Sequence, residues 1–245
     1  AMIEISKACA SCGVIVSVNN TLYGHPVKTF GTHEQKLKFL APVAGGLVEG
    51  CYGLTEAGAG SDAAALRCKA ELKGDKYIVN GTKTFITNGP VARYCVLAAT
   101  TDASLGYKGV INLIVDLKET PGFKVGKIEE KLGILASGTS ELVFEDAEVP
   151  AANLLGKQGQ GFQQMMAGLN AGRIGIGAQA CGIGRACLED AIAYSKERIQ
   201  FGKPISSNQA IQFKLADMAT ELDAAELLLL RAAWLEDQGK DFEMQ

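Results

Sequence analysis

The sequence has few histidines, a single closely spaced cysteine pair and no long apolar run. It contains two histidines, His25 and His33, and a single C-x-x-C at residues 9–12. No second cysteine pair stands at ligand spacing, so a zinc centre is disfavoured and no metal site is predicted. The apolar stretches end in charge well before the roughly 18 residues that a membrane span needs, which excludes a membrane protein. With 24 basic and 27 acidic residues, nothing indicates nucleic-acid binding.

Cysteine usage indicates the compartment. Seven cysteines, an odd number, occur in a long chain that shows no signal peptide, so a disulfide framework is disfavoured and a reducing compartment is favoured. That compartment would be the cytoplasm of a bacterium or the mitochondrial matrix of a eukaryote. No βαβ pattern surrounds residues 9–12, so we interpret Cys9 and Cys12 as helix-packing thiols rather than a thioredoxin-like site.

Three regions of different periodicity divide the chain of 245 residues. Residues 1–49 are predicted to be the end of an N-terminal helical domain, with a break at residues 24–26 and an N-cap at Gly31-Thr32. Residues 50–150 are predicted to form a central antiparallel β-domain, a small barrel. Residues 151–245 are predicted to start a C-terminal helical bundle. The fold class is therefore α+β.

Runs of β-branched and aromatic residues mark the strands of the central region, and turn signals at residues 73–76 and at Asn80-Gly81 separate them. No segment between them is long enough for a crossover helix, which disfavours a parallel α/β architecture. The strand candidates are residues 77–79, 94–98, 110–115, 123–125 and 142–144.

The helical region after residue 150 begins at a glycine-rich joint, residues 156–161. Residues 206–209 have capping-box spacing, and the residues after them recur in steps of three and four, as in the seam of a helix bundle. The small residues of 171–186 are typical of two closely packed helices. The apolar seam comprises Ile211, Leu215, Met218, Leu222, Ala225 and Leu229.

Two loose dinucleotide patterns, at residues 58–63 and 175–180, lack the strand-turn-helix context of a nicotinamide site. Arg173 stands among small and apolar residues, which leaves open either a buried structural ion pair or a charge that faces substrate. Residues 198–205 also leave two interpretations open, a turn that grips a phosphate or a helix C-cap at Gly202.

Two other stretches, residues 52–62 and 81–89, combine hydroxyls, small residues and turning backbone. Such segments are needed where main-chain N–H groups approach a planar polar ligand. Together they favour a flat flavin ring.

The order of these motifs resembles the acyl-CoA dehydrogenase family, most closely its short-chain, butyryl-CoA branch. The resemblance covers essentially the whole chain. Further matching pieces are residues 74–83, 131–134, 169–173 and 198–205. It implies FAD as cofactor and a homo-oligomer, a dimer or larger. Because the chain starts inside a helix without a preceding cap and lacks the C-terminal Tyr-Glu-Gly-Thr segment that the resemblance implies, we expect it to be a piece of a longer protein, incomplete at both ends.

The resemblance also implies site residues. Leu54, Thr55, Phe85 and Thr87 would line the isoalloxazine, with Tyr52 and Ile86 in the same strand ends. Gly60 and Ser61 would reach toward the flavin and the CoA arm, and Asn170 and Arg173 would contact substrate. Residues that would hold the FAD pyrophosphate and adenosine of a neighbouring subunit are Arg198, Gln200, Phe201 and Gln209.

The reaction that the resemblance implies is α,β-dehydrogenation of an acyl-CoA thioester to a trans-2-enoyl-CoA, with the electrons passed to an electron-transferring flavoprotein. The family's usual base is a glutamate in a Tyr-Glu-Gly-Thr segment, which does not occur in this sequence, and the alternative base position is Gly172. We therefore assign no catalytic residue and expect weak or no turnover. Glu56 is expected to have a structural, turn-bonding role.

Three further departures from the family are visible. Asn170 stands where aspartate is common, Leu135 where arginine is common, and the later Gly-Gly flavin contacts are missing. Two alternatives stay open: a non-catalytic flavin- or CoA-binding assembly module of the same fold, and an oxidase or monooxygenase on the same scaffold. The first would bind ligand without turnover, and the second would react quickly with oxygen.

Overall fold

The computed structural model describes residues 1–242, which form two compact units. One unit comprises Ala1–Val14 and the described residues from Arg173 onward, and the other comprises Ile15–Gly172. The α+β class is confirmed. Among the described residues, no helix is both long and apolar enough to cross a bilayer.

Short helical segments fill the first 44 residues. They are α1 (Met2–Ala8), α2 (Ala10–Ser17), a π-helical segment (Val18–Gly24), α3 (His25–Phe30), α4 (His33–Gln35), a second π-helical segment (Lys36–Leu40) and α5 (Ala41–Ala44). The break predicted at residues 24–26 is wrong: Pro26 lies in the first turn of α3, where its missing N–H costs no intrahelical bond. The chain is interrupted at Cys9 and Gly31 instead, both in extended conformation.

The predicted N-cap at Thr32 is confirmed. The Gln35 N–H donates to the Thr32 hydroxyl at 3.2 Å, and the Thr32 N–H donates to the Gln35 side-chain oxygen at 3.0 Å. The reciprocal pair satisfies two N–H groups that a helix start leaves open. The Gln35 amide also donates to the carbonyls of Ala152 and Leu154, so the capping residue holds α4 against the chain that follows the sheet.

Seven strands form the main sheet, and every predicted strand lies within one of them. They are β1 (Gly50–Gly53), β2 (Lys69–Lys73), β3 (Lys76–Thr87), β4 (Tyr94–Thr100), β5 (Val110–Asp116), β6 (Phe123–Ile128) and β7 (Thr139–Pro150). Their order is β1-β4-β2-β3-β7-β6, with β5 also paired to β4. Most pairs are antiparallel, but β1 and β2 each run parallel to β4. The chain passes from β1 to β4 through the β2–β3 hairpin, so this hairpin takes the place of a crossover helix.

The turn predicted at residues 73–76 is confirmed, whereas the one at Asn80-Gly81 is wrong. These residues lie inside β3, at a bulge where the pairing with β7 shifts register. Gly81 has φ +150°, and a Cβ there would lie 2.7 Å from the Cys68 Cα. Glycine is therefore required at this position, because the Cys68 backbone lies too close for a side chain and because the positive φ disfavours other residues. The bulge at Gly81 bends the strand.

The strands β4 and β5 of the sheet are buried on both faces. Along β4, Cys95, Leu97 and Ala99 belong to one core cluster, while Val96 and Ala98 belong to the other. This alternation follows from the two-residue period of a strand. One cluster fills the interior of the curved sheet, and the other includes Tyr23, Val27 and Phe39 from the preceding helices.

Two long helices follow the sheet. The joint at residues 156–161 is confirmed, because Gly156 and Gly159 have positive φ and α6 (Gly161–Glu197) begins there. The second helix is α7 (Gln209–Asp237). The predicted capping box at its start is wrong: the N-cap residue is Asn208 and its side chain makes no cap hydrogen bond. A 3₁₀ turn, Ile205–Ser207, precedes it, and the Gln212 side chain donates to the Ser206 carbonyl instead.

Close packing explains the small residues of α6, as predicted. A Cβ on Gly177 would lie 3.1 Å from Leu229, and one on Gly184 would lie 3.2 Å from Leu222. Both leucines belong to the predicted seam of α7. Glycines at these places let the two helix backbones approach each other. The seam is only partly buried, since Met218 and Ala225 are exposed.

Candidate functional site

The two stretches predicted to hold a flavin lie side by side at one edge of the sheet. In the first stretch, residues 52–62, the chain leaves β1 at residue 54, and the second stretch, residues 81–89, includes the end of β3. A backbone hydrogen bond of 2.8 Å from the Thr84 N–H to the Thr55 carbonyl joins them. The structure therefore brings together Leu54 and Thr55 with Phe85 and Thr87, as the motif reading requires.

A buried ion pair fixes this junction. The Lys83 ammonium donates to the Glu56 carboxylate at 2.7 Å and to the Leu54 carbonyl at 2.9 Å. The Lys83 side chain is 0% exposed and that of Glu56 is 11% exposed. Such a pair needs hydrogen bonds to its remaining atoms to offset the loss of hydration.

Backbone donors supply those hydrogen bonds. The N–H groups of Arg67 and Cys68 donate to the Glu56 carboxylate at 2.7 and 2.9 Å. Desolvation alone would raise the pKa of Glu56, but the Lys83 charge and these donors outweigh it and hold the pKa below its usual value. Glu56 thus closes the base of the loop formed by residues 57–66, as its predicted structural role requires. The sequence analysis missed Lys83 as its partner, because the two residues are 27 positions apart in the chain.

Hydroxyl groups line the edge above this pair. Thr55 and Thr87 are half-buried, and neither hydroxyl makes a hydrogen bond with any residue that the structure describes. The Tyr52 hydroxyl is buried, also without a partner in the described chain, and burial raises its pKa. A half-buried hydroxyl without a protein partner costs little free energy only where water or a ligand forms a hydrogen bond with it.

The side chains of Phe85 and Ile86 differ in their exposure. Phe85 is 66% exposed and has φ +58°, a left-handed conformation that costs free energy for a residue with a side chain. The aromatic ring is therefore at the surface, in the same segment as Thr87. Ile86 is 3% exposed and belongs to the core cluster, so its side chain faces away from this surface. Any contact of Ile86 with a ligand would be through its backbone.

The loop that follows Glu56 is open. Ser61 and Asp62 are exposed, and a Cβ on Gly58 or Gly60 would meet nothing within 4 Å. Packing within the chain therefore does not require these glycines. Reciprocal backbone bonds between Glu56 and Ala59, of 3.0 and 3.1 Å, shape the turn. Small residues here leave room for a ligand to approach the backbone.

A groove of about 360 Å³ opens where this loop enters β2. Two cations, Arg67 and Lys69, and the hydroxyl residues Thr100 and Thr101 line it together with Asp102. Hydrogen bonds from the Ser104 hydroxyl and N–H lower the pKa of Asp102. The groove therefore carries two positive side chains and one negative one, the latter already engaged by Ser104.

The predicted substrate residues of α6 have different environments. Asn170 is half-buried and Arg173 is exposed, so the buried ion pair considered for Arg173 is ruled out. Gly172 is buried, and a Cβ there would lie 3.0 Å from Leu22. At the alternative base position the chain thus packs a glycine tightly against a leucine.

Residues 198–205 form neither a helix C-cap nor an open loop. They make a small hairpin, β8 (Ile199–Gln200) paired with β9 (Lys203–Pro204), and the C-cap at Gly202 is wrong. Phe201 and Gly202 both have positive φ, as a two-residue hairpin turn demands. Phe201 is 95% exposed. The side chains of Arg198, Gln200 and Gln209 are exposed and have no hydrogen-bond or ion-pair partner among residues 1–242.

Three models of a single protein family match the chain in sequence order. Those for the N-terminal, middle and C-terminal domains of acyl-CoA dehydrogenases match residues 1–47, 51–147 and 159–245. The chain belongs to the acyl-CoA dehydrogenase family. The resemblance inferred from the ordered motifs is therefore confirmed, while the predicted domain boundaries and site residues remain predictions.

Relatives within the acyl-CoA dehydrogenase family match nearly the whole chain. The mitochondrial short-chain specific acyl-CoA dehydrogenase of Bos taurus is 50% identical over 242 residues, 99% of this chain and 58% of the relative. Butyryl-CoA dehydrogenase from Megasphaera elsdenii is 45% identical with a TM-score of 0.97, covering 99% of this chain and 63% of that one. A chain solved under the name electron transferring flavoprotein of Acidaminococcus fermentans is 51% identical, with a TM-score of 0.97 and the same coverage. The chain spans about three fifths of these relatives' lengths.

Proposed function

We propose that this protein is an FAD-dependent acyl-CoA dehydrogenase that converts a short-chain acyl-CoA thioester to the trans-2-enoyl-CoA. One observation carries the proposal: Thr55 and Thr87 have hydroxyls without partners in the described chain, and they belong to two adjoining segments that also carry the exposed Phe85 ring. The hydrogen bond from the Thr84 N–H to the Thr55 carbonyl joins the two segments. Two polar groups near an apolar surface fit a flat heterocycle with polar edges.

The chain's own residues would bind and orient the cofactor. Leu54 and Phe85 would contact the ring, and the hydroxyls of Thr55 and Thr87 would donate to its polar edge. Bound FAD supplies the hydride acceptor for the hydrogen that leaves the β-carbon. Lys83 and Glu56 would keep both segments in place, because they tie the Leu54 carbonyl to the base of the loop.

The acyl-CoA would bind along the open loop and at residues of α6. Ser61 would contact the thioester arm, and Asn170 and Arg173 would contact substrate from α6. The groove of Arg67 and Lys69 would receive phosphate groups of CoA, since a guanidinium and an ammonium can donate to phosphate oxygens. The loop of residues 57–66 joins Ser61 to this groove within a few residues of chain.

Proton abstraction needs a carboxylate of raised pKa. Glu56 does not meet that need, because Lys83 lowers its pKa and engages its oxygen. Gly172 carries no acid. The described carboxylates therefore include none that we assign as base, and the 245 residues are proposed to bind the cofactor but to turn over weakly.

The proposal extends to partners and compartment. Arg198, Gln200, Phe201 and Gln209 would hold FAD of a neighbouring subunit, which makes the protein a homo-oligomer, and an electron-transferring flavoprotein would accept the electrons. A relative solved under that flavoprotein's name supports this partner. All seven cysteines are free thiols, consistent with a reducing compartment, the cytoplasm of a bacterium or the mitochondrial matrix.

Flavin binding tests the proposal directly. Thr55→Val and Thr87→Val keep the side-chain shape and remove the hydroxyl, so each should weaken FAD binding by about tenfold, the value of one good hydrogen bond. Flavin fluorescence quenching measures the affinity. Thr82→Val is the matched control, because Thr82 lies on the same strand and is exposed outside the site, and it should leave the affinity unchanged.

Turnover of butyryl-CoA with an artificial electron acceptor completes the experiment. We expect bound flavin and little turnover from the 245 residues. Absence of flavin binding would refute the proposed site, and ordinary turnover would refute the claim that no base lies among these residues. Rapid consumption of oxygen by the reduced protein would support the oxidase alternative instead.

Groove variants test the CoA placement. The double variant Arg67→Ala, Lys69→Ala should weaken CoA binding by about tenfold, because it removes two charged phosphate donors. Isothermal calorimetry with CoA and with dephospho-CoA separates the 3′-phosphate from the diphosphate. Lys73→Ala is the control, an exposed lysine of β2 outside the groove. Equal affinities for the double variant and the control would overturn the placement.

A further inference from the structure

The C-x-x-C of residues 9–12 does not have the environment that its helix position predicts. Cys9 and Cys12 are both exposed, so the reading of them as helix-packing thiols is wrong. The physical reason is local: α1 ends at Ala8, Cys9 has extended backbone with φ −157° and ψ 110°, and α2 starts at Ala10. The break turns both thiols outward.

Cys9 occupies the N-cap position of α2. Its carbonyl accepts the Gly13 N–H at 3.0 Å, the first helical bond of α2. The side chain of an N-cap residue lies next to the backbone N–H of the third helical residue. The spacing thus places the Cys12 thiol and backbone N–H beside the Cys9 sulfur.

Packing within the same unit holds the backbone of the motif. The Gln179 side-chain amide of α6 donates to the Ala10 carbonyl at 2.9 Å. Gly13 lies so close to Ser6 that a Cβ would come within 2.2 Å of the serine oxygen. The backbone of the motif is therefore anchored at Ala10 and Gly13, while both cysteines are exposed.

The hydrogen bonds differentiate the two sulfurs. The backbone N–H of Cys12, then the Cys12 thiol and the Ser11 N–H, lower the pKa of Cys9. The same thiol contact with Cys9 raises the pKa of Cys12. A more acidic attacking thiol followed by a less acidic one is the arrangement of a dithiol that exchanges with disulfides.

We propose that Cys9 and Cys12 are a redox-active dithiol, which a small-molecule disulfide oxidises to an intrachain disulfide. The Cys9 thiolate attacks one sulfur of the small disulfide, whose S–S bond breaks, and one half leaves as a thiol. The Cys12 sulfur then attacks Cys9 in the mixed disulfide and releases the second half. Two electrons pass to the small molecule, and the two protons of the cysteines end on the released thiols. This inference does not depend on the proposed function.

The other five cysteines lack this arrangement. Cys51, Cys68, Cys95 and Cys181 are buried and inaccessible to a disulfide reagent. Cys187 is exposed on α6 with no cysteine three residues away, so it can form a mixed disulfide but cannot resolve it. It provides an internal control in the same protein.

Oxidised glutathione is the probe. The reduced protein is incubated with it, free thiols are alkylated, and the tryptic peptide that runs from Ala8 to Lys28 is weighed. Because it contains both cysteines, an internal disulfide makes it lighter by two hydrogen atoms and free of alkyl groups. We expect that product at Cys9 and Cys12, and a glutathione adduct at Cys187.

Two serine variants make the result decisive. Cys12→Ser should lose the internal disulfide completely and accumulate a glutathione adduct on Cys9, whereas Cys187→Ser should retain the disulfide unchanged. Serine is close in shape to cysteine at these exposed positions, so folding is not at stake. Separate glutathione adducts on Cys9 and Cys12 of the unsubstituted protein, or no reaction at either thiol, would overturn the proposal.

Discussion

Replacing Lys83 with methionine is expected to lower the free energy of unfolding by about 3–5 kcal/mol, because it leaves the carboxylate of Glu56 buried without its counter-ion. Lys83 is fully buried, and Glu56 loses its shortest side-chain partner at 2.7 Å. Urea unfolding followed by circular dichroism measures the loss. FAD affinity should fall as well, since the Leu54 carbonyl and the segment that bears Thr55 lose their anchor.

The same strand provides a matched control. Lys76 pairs with Glu148 at 2.6 Å, but both side chains are close to half exposed. Lys76→Met should therefore cost no more than about 1 kcal/mol. Equal losses for the two variants would show that burial does not set the value of the Lys83 pair.

The pH dependence of the free energy of unfolding provides a second test of the Lys83–Glu56 pair. The pKa of Glu56 is lowered in the folded protein, so its stabilisation is present above the ordinary value of 4.5 and is lost as the pH falls through the folded pKa. The Glu56→Gln, Lys83→Met double variant has no such charge to protonate. It should recover part of the stability that Lys83→Met loses, and its stability should change less between neutral pH and pH values below 4.5.

Gly81→Val is expected to cost about 3 kcal/mol or more, through overpacking and a strained backbone together. The new Cβ would lie 2.7 Å from the Cys68 Cα, a main-chain atom that cannot rotate away, and φ +150° disfavours a branched residue. The bulge lies two residues before Lys83, so the variant should also weaken FAD binding.

Gly74→Ala separates the two causes. Gly74 lies in the turn of the same hairpin with φ +64°, and a Cβ there would meet nothing within 4 Å. It should therefore cost only the conformational term, about 1 kcal/mol. A loss for Gly81→Val as small as that for Gly74→Ala would contradict the close approach to Cys68.

Local patterns predicted several elements well. Short runs of β-branched and aromatic residues between turn signals identified β4 and β5, whose side chains are almost all buried. The three-four spacing of apolar residues identified α7, because that spacing matches the helix period. Glycine signals were less reliable. Asn80-Gly81 is the stronger turn sequence, yet the turn forms at Gly74. Gly81 lies at a bulge instead, because β3 continues to pair with β7 on both sides of residues 80–81.

The sequence by itself determined the family, the α+β class and the two segments that meet at the candidate flavin site, since these depend on residue order and short-range periodicity. Only the tertiary structure decided which side chains face that site. Lys83 meets Glu56 from 27 positions away, Ile86 faces the core while Phe85 faces outward, and Cys9 and Cys12 are exposed by a one-residue helix break. Burial and charge pairing are properties of neighbours in space, which no local spacing specifies.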